Sequence, residues 1–166
     1  MGNPNLEKAI LAKYENVKKN IANKVAPEIN KLFRESVRES VNNYYQSYSP
    51  RYYQRTDNFK NVIESSRTSG RGDVLEMMVS SGYMNNYSGN NKFGNTYSIS
   101  GQPQKYNGQK LNASIAFDFF FNKGEHGHGK LLAATSTPPY ELVSNDIKTG
   151  FDGKVQKIVR DAFKKH

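Results

Sequence analysis

The sequence predicts an α+β fold in which a small, mostly antiparallel β-sheet is covered by helices from both ends of the chain. Apolar residues recur every three or four positions through the first 45 residues and again near the C-terminus, a pattern typical of amphipathic helices. Short segments of β-strand character lie between these two regions. Because no linker-like composition divides the chain, residues 1–166 are predicted to form a single domain.

The long N-terminal helix is the strongest secondary-structure signal. Its apolar stripe consists of Ile10, Tyr14, Val17, Ile21, Val25, Ile29, Leu32, Phe33, Val37, Val41 and Tyr44. Lysines and arginines fall largely off this stripe, so the outer face is basic. Pro27 lacks an amide N–H, and it predicts either a kink in one helix or the first turn of a second helix that begins near Ala26.

Two segments in the middle of the chain are predicted to be strands. Residues 74–79 are a compact apolar run bounded by Gly72 and Gly82. Residues 113–121 show the clearest alternation in the sequence, and we expect them to form a central strand. The apolar residues of its alternating face are Ile115, Phe117, Phe119 and Phe121.

The hydrophobic patterns of the remaining segments are less regular. Residues 83–112 are rich in Asn, Gly, Ser and Tyr, which predicts a long exposed loop or short strands joined by turns, with residues 96–100 the best strand candidate. Thr137-Pro138-Pro139 is predicted to cap and start a helix that runs through Ile147. A last amphipathic helix is predicted from residue 152 to residue 165.

The net charge of +9 is concentrated at the two ends of the chain. Residues 1–60 carry 11 basic and 6 acidic side chains, and residues 151–166 carry 5 and 2. Such ends suit either solvated helix faces or contact with an acidic neighbour or a polyanion. Cysteine is absent, which excludes disulfides and thiolate metal sites, and no apolar run is long enough to predict a membrane span.

The patterns that usually carry catalysis are missing, and we predict no catalytic residue, no metal site and no cofactor. His126 and His128 could bind a divalent metal only if a third ligand arrived from elsewhere, and a hydrolytic function would rest on these two residues alone. The Gly-rich segment around them favours an exposed hairpin loop. The triplet Arg71-Gly72-Asp73 matches an adhesion motif, but three residues match by chance very often, and a turn is the simpler interpretation.

A segment dense in tyrosine and arginine follows the long helix, and we call residues 48–56 the Tyr/Arg bend. Its candidate interaction residues are Tyr48, Pro50, Arg51, Tyr52, Tyr53 and Arg55. The aromatic residues near it are Phe33, Tyr44, Tyr45 and Phe59, with Lys60 beside them. This composition suits packing of the helix end on the sheet, a protein interface, or stacking of nucleic-acid bases with neutralisation of phosphates.

The sequence resembles the minor tail-component, or tail-completion, family of head-tail joining proteins of long-tailed bacteriophages. In that family a long helix ends in a Tyr-x-Pro-x-x-Tyr-x-Arg segment before a small antiparallel sheet. The residues that carry the resemblance are Val25-Ala26-Pro27-Glu28-Ile29, the bend Tyr48-Ser49-Pro50-Arg51-Tyr52-Tyr53-Gln54-Arg55-Thr56, Phe59 and the helix start Thr137-Pro138-Pro139-Tyr140-Glu141.

The resemblance implies a structural, non-enzymatic virion subunit at the head-tail junction, or neck, that is assembled in the cytoplasm of the bacterial host. It implies a homo-oligomeric ring that binds a connector or portal-side protein on one side and a tail-tube or tail-terminator protein on the other. Non-specific contact with DNA in the channel would give the basic helices a role, and no membrane partner is expected. The alternative is a basic nucleic-acid-binding protein, which the charge of +9 and the Tyr/Arg bend suggest.

Overall fold

The structure, a computed structural model, describes residues 4–47, 57–71, 74–85, 87–88, 110–126 and 134–164. The α-helices are α1 (Pro4–Asn20), α2 (Ala26–Gln46), α3 (Val62–Ser65), α4 (Ala113–Phe117), α5 (Pro139–Lys148) and α6 (Lys154–Phe163). The strands are β1 (Arg67–Arg71), β2 (Val74–Met78), β3 (Tyr87–Ser88), β4 (Lys110–Leu111), β5 (Glu125–His126) and β6 (Ala134–Thr135). The predicted α+β class, with a long N-terminal helix, small antiparallel sheets and C-terminal helices, is confirmed.

A π-helical turn joins the two long helices. It spans Ile21–Val25, between the end of α1 and the start of α2, which confirms the predicted split near Pro27. The amide N–H of Ala26 donates to the carbonyl of Ile21, five residues earlier, so this turn holds one more residue than an α-helical turn. Pro27 therefore lies in the first turn of α2, where its missing N–H is tolerated.

The π-helical turn also keeps the apolar stripe in line. Val17, Ile21, Val25 and Ile29 follow one another in steps of four, and each such step advances the stripe by about 40° around a regular α-helix. The extra residue of the turn offsets about 100° of the accumulated rotation. The stripe of α1 consequently continues into the stripe of α2 instead of winding around the helix.

The core forms on the inner face of α2, which packs against α5, β1 and α3. Phe33, Val37 and Val41 are almost completely buried there. The other buried residues of this face are Ala26, Ile29, Ser36, Ser40, Tyr44 and Tyr45. Side chains from the rest of the described chain complete the core, and they include Phe59, Val62, Ile63, Met84, Ala116, Phe121, Val143 and Phe151. Burial of this apolar surface is the main source of stability.

Polar contacts orient the elements that surround α2. The Ser36 hydroxyl donates a hydrogen bond to the Asp146 carboxylate, which joins α2 to α5. The amide N–H of Thr68 donates to Oδ1 of Asn30 at 2.8 Å, which joins β1 to α2. A partly exposed ion pair between Arg34 and Glu64, with an N···O distance of 2.7 Å, adds little free energy because water screens it.

Among the described residues the strands form two-stranded antiparallel pairs, β1–β2, β3–β4 and β5–β6. In the longest pair, Arg67 lies opposite Met78 and Arg71 lies opposite Val74. The strand predicted at residues 74–79 is thereby confirmed as β2. The candidate strand at residues 96–100 lies outside the described residues.

The central strand predicted at residues 113–121 is wrong, because this segment is helical. It forms α4 and then a π-helical segment, Asp118–Asn122. Oδ1 of Asn112 accepts a hydrogen bond from the amide N–H of Ser114 at 2.8 Å and caps the helix start. The aromatic run fits a helix as well as a strand, because its inner residues also recur at helical spacing. These residues are Ala116, Phe117, Phe120 and Phe121, which are buried or half-buried.

The C-terminal helices are joined by a left-handed turn. Gly150, Phe151, Asp152 and Gly153 have φ angles of 63°, 51°, 55° and 79°. Such angles are unfavourable for residues with a side chain, but Phe151 is buried in the core and offsets the strain. The predicted helix start is confirmed at Pro139, although no side chain caps it. The predicted last helix is confirmed as α6, two residues shorter at each end.

Two glycine substitutions should separate backbone strain from steric clash. Gly150 and Gly124 both have positive φ, but a Cβ at Gly124 would lie 2.4 Å from the Ser136 carbonyl oxygen, whereas a Cβ at Gly150 would meet open space. Gly150→Ala should lower the free energy of unfolding in urea by about 1–2 kcal/mol. Gly124→Ala should lower it by roughly 3 kcal/mol or more, because overpacking adds to the strain. Equal losses for the two variants would contradict this prediction.

Candidate functional site

The predicted interaction residues lie outside the described part of the chain. These residues are Tyr48, Pro50, Arg51, Tyr52, Tyr53 and Arg55 of the Tyr/Arg bend. The structure does describe the two flanks of the bend, because α2 ends at Gln46 and the chain is described again from Asp57. The geometry of these flanks determines where the bend begins and ends on the protein.

Aromatic side chains hold the two flanks together. The ring of Tyr44, in the last turn of α2, lies 5.0 Å from the ring of Phe59, measured between centroids. Phe120, from the π-helical segment after α4, lies 5.9 Å from Tyr44 and 5.5 Å from Phe59. Tyr45 lies 6.1 Å from Phe59. We call Tyr44, Tyr45, Phe59 and Phe120 the aromatic anchor, and such ring pairs add about 0.5–1.5 kcal/mol each to their burial.

Polar contacts complete the aromatic anchor. The Tyr44 hydroxyl donates a hydrogen bond of 2.7 Å to the backbone carbonyl of Glu125 in β5. The Lys60 ammonium group lies 5.2 Å from the centre of the Tyr45 ring and 3.2 Å from the Asp57 carboxylate. The anchor therefore joins α2, the segment after the bend and β5 at one place.

Four aromatic residues that lie near the bend in the sequence belong to the core of the protein. Phe33, Tyr44, Tyr45 and Phe59 are buried in the core, so they pack against or along the inner face of α2 and present no ring to a partner. For these four residues the packing interpretation is the one that the structure supports. A protein interface or a nucleic-acid site stays a prediction for the tyrosines and arginines of the bend itself.

The histidine segment and the Arg-Gly-Asp triplet both fall at strand ends. His126 lies in β5 and pairs with Ala134 of β6, while His128 lies outside the described residues. Arg71 ends β1 opposite Val74, and residues 72–73 lie outside the described residues. Within the described ranges, histidine and carboxylate side chains nowhere gather in groups of three or more that could hold a metal ion. No helix of the described chain is both long and apolar enough to cross a membrane.

Charged side chains form surface contacts in the segment next to the anchor and in α6. Asp118 lies 2.8 Å from the Lys123 ammonium group and accepts a hydrogen bond of 2.9 Å from Asn122, and these contacts lower the pKa of Asp118. The hydrogen bond that Lys123 donates to Asp118 raises the pKa of Lys123. In α6, hydrogen bonds from Lys164 and Lys157 lower the pKa of Asp161 to about 2. All of these contacts are on the surface, where they orient side chains more than they stabilise the fold.

These features define a small, basic α+β protein with two long N-terminal helices and with an aromatic anchor that joins the flanks of a tyrosine- and arginine-rich segment. The chain belongs to the YomN family, since the family model matches residues 4–165. YomN is a family of phage-type proteins from Bacillus prophage, which agrees with the phage setting that the sequence resemblance implied. No curated protein and no solved structure matches the chain.

Two substitutions in the aromatic anchor should lower the free energy of unfolding by different amounts. Phe59→Ala removes a fully buried ring and should lower the free energy of unfolding in urea by about 3–5 kcal/mol. Tyr44→Phe removes only the donor to the Glu125 carbonyl and should lower it by about 0.5–1.5 kcal/mol. The control Tyr83→Phe alters an exposed ring and should change it by less than about 0.5 kcal/mol. An anchor with no structural role would leave all three variants alike.

The Asp161 carboxylate should titrate well below an ordinary aspartate. Because its pKa in the folded protein is about 2, against an ordinary value of 3.8, its contribution to stability is complete above pH 3.8 and is lost as the pH falls toward 2. Carboxyl-carbon NMR titration should give this midpoint. In the Lys157→Gln/Lys164→Gln variant the pKa of Asp161 should rise toward 3.8, and in the control Lys148→Gln it should not move. A midpoint near 3.8 in the unsubstituted protein would contradict the prediction.

Proposed function

We propose that this protein is a structural virion component of the head-tail junction and that it acts by docking onto neighbouring subunits through the Tyr/Arg bend. Its membership of a phage-type family supports the phage setting. The resemblance of the bend and its flanking helix to tail-completion proteins supports the position at the junction. In this proposal the protein is a tail-completion or head-tail joining subunit and has no catalytic role.

The observation that carries the proposal is the aromatic anchor. Tyr44 and Phe59 bring the two flanks of the bend to one place and fix them to the core. A docking segment whose ends are already fixed loses less conformational freedom on binding than a free segment does. Tyrosine and arginine are also enriched at the centres of protein interfaces, where tyrosine buries a large area with few rotatable bonds and the planar guanidinium group of arginine donates several hydrogen bonds.

The proposed assembly is a homo-oligomeric ring. A closed ring needs two different complementary surfaces on each subunit, and its two faces are then free to meet two different neighbours. We propose that these neighbours are a connector or portal-side protein and a tail-tube or tail-terminator protein. Assembly would take place in the cytoplasm of the bacterial host, and the finished protein would be part of the virion.

A second candidate function is nucleic-acid binding, which the net charge of +9 favours. Arginines between tyrosines can neutralise phosphates while the rings stack on bases. Phosphate contacts predict a steep loss of affinity with rising salt, because each contact releases counterions. Titration of the purified protein with single-stranded and double-stranded DNA at two salt concentrations tests this candidate. Protein docking through the bend predicts no such binding at physiological salt.

Electron microscopy of phage particles tests the proposed function directly. Particles made without this protein should show filled heads separated from tails, because the junction lacks a subunit. The variant Tyr48→Ala/Tyr53→Ala/Arg55→Ala should give the same separation while the purified protein keeps its stability. The control Tyr83→Ala/Arg38→Ala changes exposed residues outside the bend and should give joined particles.

Two results would reject the proposal. One is normal joined virions in the absence of the protein. The other is normal assembly with the bend variant at wild-type levels, which would show that the bend is not the docking surface. Mass measurement of the intact particle and of the purified protein gives an independent check, because it tests virion membership and ring formation together.

A further inference from the structure

Strand β2 forms the outer edge of the β1–β2 pair. Strand β1 packs on α2, whereas the other side of β2 pairs with no further strand of the described chain. The residues of β2 pair one to one with those of β1, without a bulge, and they include no lysine and no proline. Such features usually protect an edge strand, because its free backbone groups can pair with another chain.

A hydrogen bond of β1 identifies the free backbone groups of β2. The amide N–H of Thr68 donates to Oδ1 of Asn30, so it points away from β2. Thr68 lies opposite Met77, and in an antiparallel pair two such residues both turn their N–H and C=O groups away from the partner strand. Met77 and Leu75 therefore present these groups at the outer edge of β2. Within the described part of the chain, no hydrogen bond reaches them.

The side chains of β2 alternate between two different faces. Leu75 and Met77 are half-buried, and Met77 packs against the core. Val74, Glu76 and Met78 are exposed on the opposite face. A strand added beside β2 would therefore continue an apolar face on one side and meet a carboxylate at the centre of the other.

The backbone groups at this edge specify the class of partner. N–H and C=O groups that recur every second residue along an extended strand match those of another extended peptide chain. A helix cannot supply them, because its backbone groups bond within the helix. The phosphates of a nucleic acid would meet the carboxylate of Glu76, which repels them.

The position of Glu76 disfavours a second copy of the chain as this partner. Two-fold pairing of β2 with β2 along its whole length places the two Glu76 carboxylates directly opposite each other, and like charges there are destabilising. A shift of two residues separates the carboxylates but leaves part of β2 unpaired. A strand of another sequence, with a basic residue at this position, avoids both costs.

We propose that the edge of β2 binds an extended segment of another protein, which adds a strand to the β1–β2 pair. The segment carries apolar side chains on one face and places a basic side chain opposite Glu76. The proposal rests on the proposed function only in taking that protein to be a neighbouring virion subunit. The binding mode itself follows from the free backbone groups of Leu75 and Met77.

A synthetic peptide tests this binding on the isolated full-length protein. The probe is a short peptide with blocked ends, with Val at alternate positions, Thr between them and Arg at the central position that faces Glu76. NMR titration should show saturable binding. Hydrogen exchange of the Leu75 and Met77 amides should slow by about tenfold or more, because both N–H groups gain acceptors. The amides of Glu76 and Met78 already bond to β1, and their exchange should change less.

Methylation of peptide nitrogens separates backbone pairing from side-chain contact. The two Val residues beside the central Arg direct their N–H groups toward β2. Methyl groups on these two nitrogens should weaken binding by about tenfold or more, because two hydrogen bonds are lost. Methyl groups on two Thr nitrogens, which face away from β2, should weaken it by less than about twofold.

Charge variants of the protein locate the binding to β2. Glu76→Lys should weaken binding of the Arg peptide by about fivefold, and a peptide with Glu in place of Arg should restore it. The control Glu39→Lys makes the same change of charge at an exposed position of α2 and should alter binding by less than about twofold. Both positions are exposed, so urea unfolding should show similar stability for the two variants.

Several outcomes would overturn the inference. Absence of saturable binding at millimolar peptide, or equal binding of the two methylated peptides, would show that the edge does not accept a strand. Slow exchange of Leu75 and Met77 in the free protein that becomes slower with protein concentration would make a second copy the partner. Joined particles in the absence of the protein would reject the proposed function but would leave the peptide result unchanged.

Discussion

The packing of α2 against its neighbours is the interaction on which the other features of the described structure depend. Phe33, Val37 and Val41 form the centre of the core, and helices and strands from the middle and the end of the chain meet there. Because these contacts join residues far apart in sequence, no shorter segment could form the same core. The aromatic anchor at one end of α2 and the π-helical turn at the other are extensions of this single line of packing.

Hydrophobic periodicity predicted most of the fold, and it failed where two periods fit the same residues. Long stripes such as that of α2 leave little ambiguity, because many turns must agree. Residues 113–121 contain so many apolar side chains that an alternating face and a helical face both exist. The Asn112 cap and the contact of Ala116 and Phe121 with the core favour the helix, and long-range packing of this kind is not visible in a local pattern.

Composition identified where a site is to be sought, but it did not separate packing residues from exposed ones. Tyr45 and Tyr83 are the same residue type, yet Tyr45 is buried in the aromatic anchor and Tyr83 is exposed. Similarly, periodicity showed which side of α1 is apolar, but whether other parts of the protein bury that side depends on tertiary structure. The exposure of that stripe is therefore information that only the three-dimensional arrangement supplies.

The left-handed turn at Gly150–Gly153 determines which changes in sequence the C-terminal helix α6 can tolerate. The turn orients α6 through its own backbone and through Phe151, and α6 itself contributes no buried residue. Substitutions that change the charge or the size of side chains on the outer surface of α6 should accordingly cost little folding free energy. New binding preferences could arise on this helix by substitution alone, while insertions or deletions within the turn would redirect the whole helix.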